Sequence, residues 1–248
     1  MAITGPDLRE AKRILAIQPH YDDNDIGAGG TLAALAAGGA QVDYLTVTDD
    51  LVGVLDAGLT DEEATARLRG EQERAGAEIG VASQHWLGFA DAGDYDYYAL
   101  RREIIRHIRM LEPDFLFSVD PWLPYESHGD HLKTGRAVTE AALLYGFARL
   151  PTDPEIDRSY RAHALLGIAL YFTLKPNQIF DISGFRERKH RAIDAYQAQL
   201  SPDSLEQLHR GLDFMERGWA AGKAFSHGEA LKVLSPSQLH CGLLPIDD

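Results

Sequence analysis

The amino-acid sequence predicts an α/β fold: a Rossmann-like, mostly parallel sheet flanked by helices, with a smaller C-terminal strand pair and helices that complete a pocket. In residues 1–150, short apolar segments typical of strands alternate with longer helical segments. Strands that are separated by helices pair in parallel through right-handed crossovers. The run Asp114–Asp120 is apolar between its terminal carboxylates except at Ser118, as in a strand that is buried on both faces of a parallel sheet.

The elements of this first part follow from apolar periodicity and from residues that begin or end helices. The predicted strands are Ile14–Gln18, Val42–Thr48, His85–Phe89 and Asp114–Asp120. The predicted helices are one that contains Thr31–Ala37 and ends at Gly38-Gly39, then Asp61–Ile79, Tyr98–Leu111 and Leu132–Leu150. Thr60 is a suitable N-cap for the second helix and Gly80 follows its end, whereas Pro113 stops the third helix.

The pattern changes after Pro151, although no linker or repeat divides the chain. Two strands, Ala164–Thr173 and Gln178–Ile182, are predicted to pair with each other across Lys175-Pro176-Asn177. Two helices follow, Phe185–Gln199 and Pro202–Gly222, and the tail from Phe225 has a mixed pattern. We therefore expect one domain over residues 1–248, with a Rossmann-like core in 1–150 and a C-terminal completion in 151–248.

Composition excludes several classes of function. The chain has 248 residues, a formal net charge of −14 and no basic stripe, so neither nucleic acid nor an anionic membrane surface is an expected partner. The only cysteine, Cys241, excludes an intrachain disulfide and a CxxC metal site. The first 13 residues lack an apolar signal core, and no stretch approaches the ~20 apolar residues of a membrane span, which predicts a cytoplasmic protein.

Two clusters of potential metal ligands follow predicted strands. His20-Tyr21-Asp22-Asp23 comes directly after the first strand, and His128-Gly129-Asp130-His131 comes after the strand Asp114–Asp120. Open α/β sheets place their sites at the carboxyl edge, so both clusters are expected to meet there. A catalytic zinc commonly takes three protein ligands and leaves one position for water. His20 and Asp23 can reach one ion from a tight turn, the second cluster can supply a third ligand, and Asp22 remains available as a general base.

Other interpretations of these residues have less support. Either cluster alone could be a solvated loop. Gly27-Ala28-Gly29-Gly30 suggests a dinucleotide-binding loop, but the third glycine of that motif would fall at Leu32. Gly218–Lys223 is too short for a phosphate-binding loop, and the chain contains no GxSxG nucleophile elbow.

The two clusters carry a resemblance to a known family. His20-Tyr21-Asp22-Asp23 resembles the His-Pro-Asp-Asp motif of the PIG-L/LmbE-like zinc deacetylases, and His128–His131 resembles their His-x-Asp-His motif. The run Gly27–Leu32 is similar to their glycine-rich helix start. Weaker similarities are found at Glu71–Gly80, Leu87–Asp91 and Ala221–Phe225, so the resemblance covers most of the chain in order.

The resemblance implies a role for each matching residue. His20, Asp23 and His131 match zinc ligands, and Asp22 matches the general base. His128 matches the histidine that stabilises the oxyanion or assists departure of the amine. Asp130 is expected to orient a histidine. The implied cofactor is Zn²⁺, with Fe²⁺ as an alternative.

The sequence departs from the family pattern where substrate contacts are expected. Tyr21 replaces the usual proline, and Leu68 stands where the family often has a substrate-binding arginine, for which Arg69 or Arg67 could substitute. The expected substrate contacts are Tyr21, Arg69, Asp91 and His227.

The resulting prediction is a zinc-dependent hydrolase that removes an N-acyl group, above all N-acetyl, from a small-molecule amino sugar or its conjugate. Two alternatives remain: a zinc-dependent hydratase of an unsaturated carboxylate, which the resemblance also includes, and a metal-binding relative without activity. The apolar late helices are compatible with a homo-oligomer.

Overall fold

A computed structural model describes residues 5–240 of the chain. The strands are β1 Arg13–Gln18, β2 Gln41–Thr48, β3 Ser83–Phe89, β4 Phe115–Val119, β5 Gly167–Tyr171, β6 Gln178–Asp181 and β7 Gly228–Leu234. The helices are α1 Asp23–Ala37, α2 Asp61–Ile79, α3 Tyr97–Leu111, α4 Gly129–Leu144, α5 Pro154–Ser159, α6 Arg186–Ile193 and α7 Pro202–Ala220. Short 3-10 turns cover Leu8–Glu10 and Pro236–Leu239.

The described strands form one mixed sheet in the order β3-β2-β1-β4-β5-β7-β6. β1 to β5 pair in parallel, whereas β7 is antiparallel to both β5 and β6. The chain moves outward from β1 to β3 and then returns to place β4 on the other side of β1. This reversal creates a crevice at the carboxyl ends of β1 and β4, where open α/β sheets bind ligands. The predicted α/β fold with a mostly parallel sheet is confirmed.

The prediction that the two C-terminal strands pair with each other is wrong. β5 and β6 do not pair with each other, because β7 lies between them and pairs Ile168 with Leu234 on one side and Phe180 with Glu229 on the other. β7 comes from the tail that was expected to be mixed. Two charged residues, Glu229 and Lys232, interrupt its apolar pattern, and burial of Glu229 at 3% exposure depends on a partner elsewhere in the chain.

Several helix bounds also differ from prediction. α1 begins at Asp23, within the first cluster, and α4 begins at Gly129, within the second. α4 ends at Leu144 rather than Leu150, and α6 covers only Arg186–Ile193 of the expected Phe185–Gln199. The short helix α5 was not predicted. Cys241 lies outside the described residues.

Apolar side chains cover both faces of the sheet. Along β1, Ile14 and Ala16 pack on the side of α1, α2 and α6, whereas Leu15 and Ile17 pack on the side of α3 and α4. All four are at most 1% exposed. A strand buried on both faces must be apolar throughout, which explains why the first strand was recognisable from sequence. Among residues 5–240, none of the helices has the length and hydropathy needed to cross a bilayer.

Close packing of α1 against the sheet fixes the start of this helix. A Cβ atom at Gly27 would lie 2.2 Å from Cδ2 of Tyr171, which is fully buried and donates a hydrogen bond to Asn24. On the next turn, the Glu229 carboxylate of β7 accepts hydrogen bonds from the backbone N–H groups of Gly30 and Thr31 at 3.0 and 2.7 Å. These contacts hold the helix that begins with Asp23.

We expect Gly27→Ala to lower the free energy of unfolding by about 1–3 kcal/mol, because the added methyl group clashes with a side chain that cannot move freely. Gly211→Ala is the matched control: it lies inside α7 with no atom within 4 Å of the added Cβ, so it should raise stability by about 0.5–1 kcal/mol. Urea denaturation measures the free energy of unfolding of both variants. A Gly27→Ala protein as stable as the parent would contradict the packing argument.

Candidate active site

A short turn after β1 presents the first cluster. β1 ends at Gln18, and the buried Gln18 side chain fixes the turn by donating to the carbonyl of Tyr21 at 3.0 Å and accepting from the N–H of Asn24 at 2.8 Å. The backbone N–H of His20 donates to Asp23 Oδ2 at 2.9 Å. The turn therefore brings the side chains of His20 and Asp23 to the same side before α1 continues.

His20, Asp23 and His131 converge although 111 positions separate the first from the last. His20 Nδ1 lies 3.3 Å from Asp23 Oδ2, and His131 Nε2 lies 3.4 Å from Asp23 Oδ1. One ligand atom from each of the three residues lies within 4.8 Å of the others. Metal–ligand bonds of about 2.0–2.1 Å in a tetrahedral arrangement place neighbouring ligand atoms about 3.3 Å apart. The three side chains therefore form a His-Asp-His metal-binding site.

The electrostatic environment of this site favours positive charge. Burial alone would lower the pKa of His20, but the carboxylates of Asp23 and Asp91 together raise it to about 11. Burial tends to raise the pKa of Asp23, and the nearby His20 and His131 imidazoles lower it below its ordinary value. A divalent cation satisfies the same carboxylates, and two imidazoles with one carboxylate are suitable zinc ligands. The donor set fits a divalent metal.

Two carboxylates face the other nitrogen of His20. Asp91 Oδ1 lies 3.4 Å and Asp130 Oδ2 3.7 Å from His20 Nε2. Asp130 is 1% exposed and is held by the Tyr95 hydroxyl and the Ala92 N–H, both at 2.8 Å. With His128, these residues form a second group that could hold a metal, but it shares His20 with the first group. A carboxylate on the second nitrogen usually orients a metal-binding histidine.

Asp22 lies at the N-cap position of α1 without using its side chain as a cap. Burial raises the pKa of Asp22 well above its ordinary value, and the negative charges of Asp23 and Asp50 raise it further. A carboxyl group in such surroundings accepts a proton more readily than one in water. Asp22 is thus a stronger base than an exposed aspartate and is not required for the three-residue site.

His128 caps α4 and is held in one tautomer by the helix backbone. Its Nδ1 accepts a hydrogen bond from the Asp130 N–H at 3.3 Å, which leaves the proton of the neutral ring on Nε2. Burial lowers the pKa of His128, and the positive charges of His20 and His131 lower it further. The ring lies 4.6 Å from that of His20, and its side chain is 43% exposed. His128 therefore presents a neutral N–H donor beside the metal-binding site.

Three residues at the site were not predicted from the sequence. Glu126 accepts a hydrogen bond from the His128 N–H at 2.7 Å, and its other oxygen lies 3.3 Å from His131 Nδ1. Asp50 accepts from the Tyr21 N–H at 3.0 Å, and burial raises its pKa to about 7. The Phe172 ring is stacked parallel to the His131 ring at 6.4 Å. Glu126 precedes the second cluster by two residues, which is a weak indication, whereas only folding brings the other two to the site.

The four residues that were expected to contact the substrate differ from one another in their surroundings. Tyr21 is 1% exposed and packs in the core rather than at an open surface. Arg69 is exposed and lies 5.0 Å over the Trp86 ring. Asp91 faces His20, as described above. His227 directly precedes β7 and contacts Asp213, Ser183 and Ser226.

Comparison with known proteins gives one consistent family. The chain is 36% identical to diacetylchitobiose deacetylase of Thermococcus kodakarensis over 199 residues, which cover 79% of this chain and 73% of that protein. It is 33% identical to N,N'-diacetylchitobiose deacetylase of Pyrococcus horikoshii, whose solved structure matches with a TM-score of 0.83 over 95% of this chain and 88% of the other.

A more distant relative is 1D-myo-inositol 2-acetamido-2-deoxy-alpha-D-glucopyranoside deacetylase of Rhodococcus opacus, which is 30% identical over 166 residues, or 56% of each chain. The model of the PIG-L family, described as GlcNAc-PI de-N-acetylase, matches residues 15–142, a range that contains both His/Asp clusters. These matches confirm the resemblance that the two His/Asp motifs carry. The chain belongs to the PIG-L family.

Proposed function

We propose that this protein is a zinc-dependent N-deacetylase of N-acetylated amino sugars. The observation that carries the proposal is the convergence of His20, Asp23 and His131 at separations of 3.3 and 3.4 Å, with Asp22 and His128 beside them. Zn²⁺ held by the three residues would polarise the amide carbonyl and lower the pKa of water to about 7. The donor set supports Zn²⁺, and Fe²⁺ remains an alternative.

In the proposed reaction, Asp22 accepts a proton from the attacking water molecule. Its raised pKa increases its strength as a base, and its position next to Asp23 in the chain keeps it at the metal-binding site. The neutral His128 donates its Nε2 hydrogen to the carbonyl oxygen as this oxygen gains negative charge. A neutral imidazole is a weak acid, so we assign to His128 the stabilisation of the oxyanion. We assign to Asp22 the return of the proton to the leaving amine.

The substrate class is supported by the relatives rather than by a contact in the structure. Both diacetylchitobiose deacetylases and the inositol-linked deacetylase act on N-acetylated amino sugars according to their names. These names favour amide hydrolysis over the hydratase alternative. The alternative of an inactive relative would require a missing group, whereas Asp22, His128 and the three proposed ligands are all present. The predicted cytoplasmic location and homo-oligomer stay predictions.

Asp22→Asn should lower kcat for N,N'-diacetylchitobiose about 10²–10⁴-fold, because the amide cannot accept the water proton. Acetate release measures the rate, and metal analysis should give the same zinc content as the parent. Asp203→Asn, an exposed substitution on α7, is the matched control and should keep full activity. An Asp22→Asn protein with the activity of the control would refute the assignment of the base.

Glu126→Gln should weaken zinc binding about 10–100-fold, because the carboxylate that orients His131 through Nδ1 is replaced by an uncharged amide. Competition with a chelator measures the dissociation constant independently of activity. Glu155→Gln removes a carboxylate from the exposed start of α5 and should leave zinc affinity unchanged. Equal zinc affinity in the two variants would show that Glu126 does not support the ligand.

A further inference from the structure

Left-handed backbone conformations are concentrated in the loops around the candidate site. In residues 5–240, five residues other than glycine have a positive φ, and four of them lie in the loops that follow β2, β3, β4 and β5. These four are Asp50, Ala92, Tyr125 and Phe172, and the fifth, Glu112, is the C-cap of α3. Strained backbone persists only where surrounding contacts hold it, and it is most common at functional sites.

Asp50 combines this backbone conformation with a buried carboxyl group. Its φ is 58°, a value that glycine adopts readily because glycine has no Cβ atom. The residue is 3% exposed, and burial of a polar side chain is costly unless a hydrogen bond compensates for it. Glycine at this position would avoid both costs. What aspartate contributes here is therefore the contact that its carboxyl group makes.

The carboxyl group of Asp50 binds the turn that carries the metal ligand and the base. Asp50 Oδ2 accepts a hydrogen bond from the backbone N–H of Tyr21 at 3.0 Å, and this N–H belongs to the peptide group that joins His20 to Tyr21. The next peptide group, between Tyr21 and Asp22, is held through its carbonyl oxygen by Gln18 Nε2 at 3.0 Å. Asp50 thus fixes one of the two peptide planes that orient the side chains of this turn.

The loop that contains Asp50 is itself held at the carboxyl end of β3. Asp49 Oδ1 accepts from the N–H of Asp91 at 3.0 Å, and the N–H of Val52 donates to Asp91 Oδ2 at 3.0 Å. Asp49 and Asp50 are consecutive, yet their side chains bind different segments of the chain. The loop therefore connects the segment that contains Asp91 with the turn that contains Tyr21.

A tyrosine at position 21 makes this turn dependent on a hydrogen bond. Proline, which stands at this place in the motif of the family, restricts φ through its ring and has no N–H group. Tyr21 lacks that restriction, and its N–H is buried and needs an acceptor. Asp50 supplies the acceptor.

We propose that Asp50 is a positioning residue that holds the turn carrying His20 and Asp22 in its working conformation. It acts through the Tyr21 N–H rather than on the reacting atoms. This inference rests on the proposed deacetylase function. The position requires an acceptor oxygen on a left-handed residue, and asparagine satisfies both requirements because it also adopts this conformation. Glycine satisfies only the second.

Asp50→Gly should therefore lower kcat for N,N'-diacetylchitobiose about 10–100-fold with KM within about threefold of the parent value, because the turn is misplaced while the substrate contacts remain. The dissociation constant for zinc, measured by competition with a chelator, should rise about tenfold, because His20 lies on the same turn. Asp50→Asn should keep kcat and the zinc dissociation constant within about threefold of the parent, since it retains the acceptor.

Glu112→Gly is the matched control. Glu112 is also an acidic residue with left-handed backbone, at a φ of 47°, but it ends α3 and its side chain is 38% exposed. Relief of the same backbone strain there should leave kcat and zinc affinity unchanged. Thermal melting sets an assay temperature at which all variants are folded.

Tyr21→Pro tests the contact itself, because it removes the donor N–H. In this background, Asp50→Gly should change kcat by less than about threefold, compared with 10–100-fold in the parent chain. Loss of the tyrosine ring is common to both proteins in this comparison and therefore cancels. Equal effects of Asp50→Gly in the two backgrounds would overturn the inference.

The remaining outcomes are equally decisive. An Asp50→Asn protein that loses as much kcat as Asp50→Gly would overturn the inference, because the role would then depend on charge rather than on the hydrogen bond. Parent-like kcat and zinc affinity in Asp50→Gly would overturn it as well. No acetate release by the parent protein would overturn the deacetylase proposal instead. The zinc affinities of Asp50→Gly and Asp50→Asn would still decide whether Asp50 positions the turn.

Discussion

The parallel pairing of β1 with β4 is the constraint on which the candidate site depends. Register pairs such as Ala16 with Phe117 align the two strands, so that their carboxyl ends reach the same edge of the sheet. Each strand leads to one His/Asp cluster, and a helix begins within each cluster. Backbone hydrogen bonds between two buried strands therefore bring His20 and His131 together, although the two residues are far apart in the chain. Any shift of this register would separate the two imidazoles.

Charge within the site is distributed around His20. One ring nitrogen faces Asp23, and the other faces Asp91 and Asp130, so carboxylates surround a single imidazole on both sides. Like charges at such distances are tolerated only because a cation or an imidazolium lies between them. Burial raises the pKa of the Asp22 carboxyl, and the charges of Asp23 and Asp50 raise it further. Asp23 thus belongs to the metal-binding site and also contributes to the raised pKa of its neighbour.

The elements that follow β5 support the site from outside the parallel part of the sheet. Glu229 on β7 binds the backbone of α1 and the ammonium group of Lys189 on α6, and Lys189 also pairs with Glu216 on α7. Through these buried contacts, α6, α7 and β7 hold the helix that begins at Asp23. Removal of the Lys189 ammonium group would deprive two buried carboxylates of their shared cation, which is costly in a protein interior.

Sequence alone determined the fold class, the positions of the first four strands along the chain and the two clusters, because apolar strands and His/Asp motifs are local patterns. It did not reveal that β7 separates β5 from β6, because Glu229 and Lys232 interrupt the apolar pattern of this strand. The burial of Glu229 depends on residues that are far away in the chain. It also did not reveal Asp50, Phe172 or the role of Asp91 beside His20, nor the burial of Tyr21. These features depend on which side chains meet after the sheet has formed, and only the tertiary structure decides that.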